Sequence, residues 1–222
     1  MSKKPESVLA WHFLPDDGKT RDFDGQRKRR KIKAGTVMAW PKPKPLKMCD
    51  SGLHASENIL DALGYAPGSI CCRVECSGEM LKQDDKLVCR RRKVLWMVDA
   101  TETLHLFACW CAERALRRER KAGREPDKRS WEAIRVKRRW LKGKATDEEL
   151  STARATAARD AAANAARDAA RDAAWGAAWD TARDAARDAA ANAAWAAANA
   201  EREAQEKKLV AMVESARKEV SS

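Results

Sequence analysis

Apolar positions follow two regimes along this chain. Up to about residue 100 they come in short runs separated by turn-forming residues, and beyond it they recur at helical spacing. Val8 to Leu14 (VLAWHFL) reads as a strand apolar on both faces, and Pro15-Asp16-Asp17-Gly18 closes it, each residue favouring a turn. Val37 to Trp40 reads as a short strand. Glu57 to Leu63 predicts a short amphipathic helix with Ser56 as its cap. Ile70 to Cys76 alternates Ile70, Cys72 and Val74 against Cys71, Arg73 and Glu75, and Lys86 to Cys89 and Val94 to Val98 supply two more strands. Strands around one short helix predict a small mixed-sheet head over residues 1–100.

From Thr101 to Arg120 the pattern turns helical, with Leu104, Ala108, Cys111 and Ala115 on one face, and Gly123 and Pro126 end the segment. Ser130 opens a second helix that buries Trp131, Ile134 and Leu141 and stops at Gly143. Thr146-Asp147-Glu148-Glu149 is a capping box and starts the third helical stretch. The expected class is therefore α+β: a head followed by an all-helical domain over 101–222.

Within that domain, 27 of the 48 residues from Ala153 to Ala200 are Ala, the best helix former, in a recurring Ala-Ala-Arg-Asp tetrad. Asp168, Asp180 and Asp184 each precede an Arg by three residues, at Arg171, Arg183 and Arg187, so the charges compensate along the helix surface. A tetrad repeat advances by ~40° per step, so Trp175, Trp179 and Trp195 spiral round the rod. A segment without large aliphatic side chains needs a partner: the preceding helices, a second copy or another protein. One long helix and a helical hairpin both satisfy the pattern.

Charge localises the candidate contacts. The net charge is +12, and residues 151–222 hold 11 cations and 11 acids, so the whole excess lies before them (34 − 22). Arg27 to Lys33 and Arg90 to Lys93 carry the densest runs, which makes Arg27, Arg29, Arg30, Lys31, Arg90, Arg91 and Arg92 candidate binding residues, with His54 in the head and Trp175 and Trp179 on the Ala-rich helix. Such a balance suits an acidic protein or nucleic acid. The seven Cys form no C-x-x-C pair and read as reduced, buried thiols of a cytoplasmic protein. A metal site would have to combine Cys49 and His54 with residues such as Cys72 and Cys76, at spacings that match no zinc pattern, and no apolar run is long enough for a membrane span.

Gly35, Cys49-x-x-Gly52-x-His54-Ala55, Asp61-x-Leu63-x-Tyr65, Val74-Glu75 and Asp85-Lys86 resemble a small domain of unknown function common in phage and prophage proteins, over about residues 8–98. The order of His12 on a first strand, His54 and Ser56 on a second, a helix and a Val-rich strand is also similar to the opening of ADP-ribosyltransferase-like folds. That resemblance implies His12 at an NAD ribose and His54 at the nicotinamide. The usual second-strand Tyr is absent, and Glu75 and Glu79 come too early for the late catalytic Glu. Residues 101–220, with Phe107-Ala108-Cys109-x-Cys111-Ala112-Glu113, Pro126-Asp127-x-Arg129, Trp140-Leu141-x-Gly143 and a closing Leu209-Val210-x-Met212-Val213, resemble helical immunity proteins of bacteria and phages. This resemblance implies a bundle used for binding, with no catalytic residue to carry over.

The expectation is a phage or prophage accessory protein that binds a host macromolecule, as an inhibitor of a host defence complex or an immunity-type protein, without cofactor or metal. An NAD-using transferase and a nucleic-acid binder acting through the basic head are the alternatives, and the Ala-rich helix allows a homo-oligomer.

Overall fold

The computed structural model describes residues 7–20, 29–159 and 183–221. It forms two compact units, Met1–Leu104 with Gln205–Ser222, and His105–Ala204.

The first unit is built on a sheet of five antiparallel strands: β1 (Ser7–Leu14), β2 (Val37–Ala39), β3 (Leu53–Ala55), β4 (Ile70–Lys82) and β5 (Leu87–Asp99), ordered β1-β4-β5-β2 with β3 also on β5. The β4–β5 hairpin is its spine, and irregularities at Arg73/Val74 and Ser77/Met80 bend it. The curl brings the chain just past β3 back to β1, where Trp11 and Ser56 exchange backbone hydrogen bonds of 2.7 and 3.0 Å. Four strands thus close a ring around Ala10, Leu14, Ala55, Cys72, Val74, Cys76, Leu87, Cys89 and Val94, with Ile32 packed among them. Ser56 is consumed by that bridge, so the cap of helix α1 (Ile59–Gly64) is Asn58, whose side chain accepts from the Leu60 N–H at 2.8 Å. The two strands expected from Lys86 to Val98 are one. Arg91 and Lys93 face solvent while Arg92 turns inward, so the charged run follows the pleat without breaking it.

The outer face of the sheet is covered in part by the chain's last segment. Helix α5 (Arg183–Ser221) ends on this unit, where Leu209 and Val213 are fully buried. Arg217 lies over the Trp96 ring at 4.9 Å, Trp96 meets Trp11 edge-on at 5.6 Å, and Arg73 covers Trp11 at 4.5 Å. This packing stabilises through apolar area and through cations resting on indole faces.

The second unit contains most of α2 (Thr101–Lys121), α3 (Lys128–Leu141), α4 (147–159) and the part of α5 up to Ala204. On α2 Phe107 and Cys109 are buried on opposite sides of the helix, while Ala108 and Ala115 are exposed. Of the expected face of Leu104, Ala108, Cys111 and Ala115 the two alanines therefore lie outside the packing, because Phe107 removes far more apolar surface from water than Ala108 can. Glu113 bridges Arg117 on its own helix and Arg138 of α3, at 3.6 and 2.9 Å. The buried Glu201 of α5 accepts Arg114 and Arg118 of α2, both at 3.0 Å. α3 starts earlier than expected, because Asp127 caps it by accepting from the Arg129 N–H at 2.8 Å. The capping box forms as read: the Thr146 hydroxyl accepts from the Glu149 N–H at 3.1 Å, and the Glu149 carboxylate from the Thr146 N–H at 2.7 Å. The tetrad ion pairs from Asp168 to Arg187, and the side chain of Trp195, lie outside the described residues.

Candidate functional site

The signature residues of the head, scattered from Cys49 to Lys86, meet at one place. Antiparallel pairing of β3 with β5 sets His54 opposite Val88 and Ala55 opposite Leu87, so Lys86 comes past the end of β3, and the loop before β3 folds back over His54 towards it. In that loop Cys49 has a positive φ of 63°, uncommon for a residue with a Cβ, and its N–H donates to His54 Nε2 at 3.0 Å. His54 therefore acts as a clasp on the loop. Burial first, then the charges of Arg92 and Lys86, lower its pKa, so the ring is neutral and free to accept. Lys86 Nζ donates to the Tyr65 hydroxyl at 3.1 Å and lies over the same ring at 4.9 Å, with Cys49 close enough to favour its charged form. Tyr65 in turn donates to Asp85. These bonds hold Lys86 charged, its pKa raised first by Tyr65 and then by Cys49, and the bond from Tyr65 keeps Asp85 ionised, its pKa lowered. Tyr65 remains half exposed and Cys49 exposed. The patch offers a phenol, an ammonium and a thiol on a rigid base.

Behind it lies a second cluster, buried inside the ring. His12 sits there with its pKa pushed well below the ordinary range by burial, then by the charges of Arg92 and His54. Arg92 is 5% exposed, donates to the His54 carbonyl through one Nη, and leaves its Nε unpartnered. Cys72 and Cys76 are buried thiols held protonated, Cys72 pushed up to about 12 by desolvation and Cys76 raised first by its hydrogen bond with Cys89 and then by desolvation; Cys71, on the other face of β4, is raised by desolvation. His12 feels the charge of His54, whose Nε2 is engaged by the Cys49 N–H. Among the described residues no three His, Cys, Asp or Glu side chains gather as a metal site.

The basic candidates separate. Arg29 pairs with Asp17 at 2.9 Å and Lys31 donates to the Asp17 carbonyl at 2.8 Å, both fastening one loop, while Arg30 is exposed. Arg90 pairs with Glu79 at 2.8 Å and donates to the carbonyls of Pro41 and Lys44, so it ties the proline-rich loop to the hairpin. Arg91 is exposed on the outer face and Arg92 is buried. Arg27, Trp175 and Trp179 lie outside the described residues. Reasoning from charge runs missed Tyr65 and Lys86 as partners of the Cys49 loop. The signal was present in the family-like spacing of Tyr65, Asp85 and Lys86, whereas their convergence depends on strand pairing.

No curated protein and no solved structure matches the chain. Residues 28–106 match the family model of a domain of unknown function (DUF7666), so that this domain spans the head from the loop before β2, through the whole Cys49–Lys86 patch, to the first turns of α2.

Proposed function

We propose that this is a binding protein, a phage or prophage accessory factor whose head engages a host protein through the Tyr65–Lys86–Cys49 patch, in the manner of a defence inhibitor or an immunity-type protein. The observation that carries the reading is the convergence itself. Five positions spread over the sequence build one exposed, hydrogen-bonded surface whose central Tyr and Lys are pre-ordered, which lowers the entropy lost on association. Exposed Tyr with a neighbouring cation is also the side-chain chemistry on which protein interfaces concentrate their energy. The buried Arg92 supports the loop from behind through the His54 carbonyl.

The test is affinity capture from bacterial lysate with the full chain, alongside Tyr65→Ala and Lys86→Ala. One defined partner held by the wild type and lost by at least tenfold in either variant, with unchanged circular dichroism, is expected. Capture that both variants retain would place the interface elsewhere. Adding NAD separates the transferase alternative: an NAD-dependent mass increase on protein or lysate would replace this reading.

A further inference from the structure

The head carries a second surface, further along β5 than the Tyr65 patch, that the proposed interface does not use. Antiparallel pairing of β2 with β5 sets Val37 opposite Lys93 and Ala39 opposite Arg91, and all four residues are exposed on the outer face of the sheet. On β4 the same two rows continue with Glu75 and Ser77. Alternation along β5 puts Arg91 and Lys93 on one face about 6.8 Å apart. The loops at the two ends of β2 extend this strip of charge. Before β2, the exposed Lys33 stands in a turn whose carbonyl accepts from the Thr36 N–H at 3.0 Å, and the Gly35 N–H ties that turn to the Val94 carbonyl at 2.8 Å. After β2, Lys42 and Lys44 are exposed in the proline-rich loop, which Arg90 pins to the sheet through the carbonyls of Pro41 and Lys44. The cations therefore stand on backbone that is held in place at both ends.

This strip differs from the rest of the head in its pairing. Elsewhere exposed cations have acids beside them: Arg29 has Asp17 at 2.9 Å, Lys47 has Asp50 at 3.2 Å and Lys82 has Glu57 at 2.8 Å. Among the described residues none of Lys33, Lys42, Lys44, Arg91 and Lys93 forms an ion pair, although Glu75 lies across from Lys93 in register. Like charges side by side repel unless an anion joins them. The separation of Arg91 and Lys93 is comparable with the step between successive phosphates along a nucleic-acid strand, and an open row of cations follows a charged backbone where a pocket would enclose a small ion. The rings near the strip are already covered by cations: Trp40 lies under Lys44 at 5.9 Å, Trp96 under Arg217 at 4.9 Å and the buried Trp11 under Arg73 at 4.5 Å. Bases splayed from a single strand would find no free platform there. A protein partner would likewise lack the uncovered Tyr or Trp on which protein interfaces concentrate their energy. We propose that this strip, centred on Arg91 and Lys93, binds the phosphate backbone of duplex nucleic acid without reading its sequence.

The experiment measures fluorescence anisotropy of a labelled DNA duplex of about 20 base pairs with the full-length protein between about 50 and 200 mM salt. Binding is expected to weaken steeply with salt. Arg91→Gln with Lys93→Gln should lower affinity about tenfold at the low-salt end and reduce the slope of log K against log salt by about 1.8, or about 0.9 for each phosphate no longer neutralised. Lys142→Gln with Lys144→Gln removes the same charge from exposed positions of the second unit and should leave the slope at the wild-type value. Absence of binding at the low-salt end overturns the proposal, as does an equal loss in the two double variants, which would be an effect of net charge alone. Tighter binding of single strands than of duplex would point to base stacking, and polyglutamate that competes as well as the duplex would assign the strip to an acidic protein. Both results refute the duplex reading. Protection of Lys93 from acetylation by the duplex in the wild-type protein gives a second readout that needs no variant, and labelling that the duplex leaves unchanged counts against the site. Tyr65→Ala should leave duplex binding unchanged, so this proposal and the head interface stand or fall separately.

Discussion

Gly52 gives the sharpest test of how the Cys49 loop is built. Its φ is +124°, and a Cβ placed there would lie 2.2 Å from Val88 Cγ2 and 2.9 Å from Leu46 Cδ2. Val88 is fully buried and Leu46 nearly so; both are packed branched side chains with no slack to give. Gly52→Ala therefore carries two separable costs: about 1–3 kcal/mol for an unfavourable backbone conformation and about 1–3 kcal/mol for overpacking. Together they take a large fraction of a typical domain stability of roughly 5–15 kcal/mol. The two parts separate in a double-mutant cycle. Val88→Ala alone loses about 2 kcal/mol through its missing methyl groups and the space they leave. In that background the Cβ at position 52 has room, so Gly52→Ala should cost about 1–3 kcal/mol less than it does alone. Urea unfolding, with hydrogen exchange read at the β3 and β5 amides, provides the energies. A single variant within about 0.5 kcal/mol of wild type, or costs that add without coupling, would show that the loop does not press on Val88 as described.

Two other outcomes follow from the buried groups of the head. His12 and His54 both have folded-state pKa values below the unfolded value of about 6.5, so unfolding takes up protons below that pH. Stability should be complete above a pH of about 6.5 and fall as the pH drops from there towards the folded values, by up to about 1.4 kcal/mol per pH unit for each ring; His54→Gln should remove one proton from the slope, and a flat profile from about pH 7 to 5 would contradict the burial of both. Leu209→Ala should cost the head about 2–5 kcal/mol and loosen exchange protection around Trp11 and Trp96, and unchanged protection would mean that the end of α5 does not hold the sheet.

The α+β class and most of the element positions follow from local patterning because they depend on neighbours in the chain. VLAWHFL is apolar at successive positions, and Ala10, Trp11, Phe13 and Leu14 are all buried, since the sheet is covered on both faces there. The capping box at Thr146 is equally local and equally legible. Misreadings occur where tertiary competition decides. Ser56 has the chemistry of a helix cap, but the ring closure on Trp11 claims its backbone, and Asn58 takes the role. Arg90 to Lys93 looks like one basic patch, yet the pleat sends Arg91 outward and Arg92 inward, while Arg90 reaches the Pro41 and Lys44 carbonyls.

The candidate site illustrates the same limit from the opposite side. Lys86 reaches Cys49 only because β3, a strand of three residues, pairs with the start of β5 rather than with a sequential neighbour, and no periodicity in the chain announces that pairing. The Trp140–Asp147 bond, which joins the end of α3 to the start of α4, is likewise a contact seven residues apart that no periodicity announces. Charge density in the sequence directs attention to runs such as Arg27 to Lys33, where flanking acids and carbonyls are close enough to engage the cations, as Asp17 does for Arg29 and Lys31. Cations gathered from distant positions find their partners only in the fold, as Arg114 and Arg118 do on Glu201 and Arg138 does on Glu113, and no run of charge in the sequence announces those pairs.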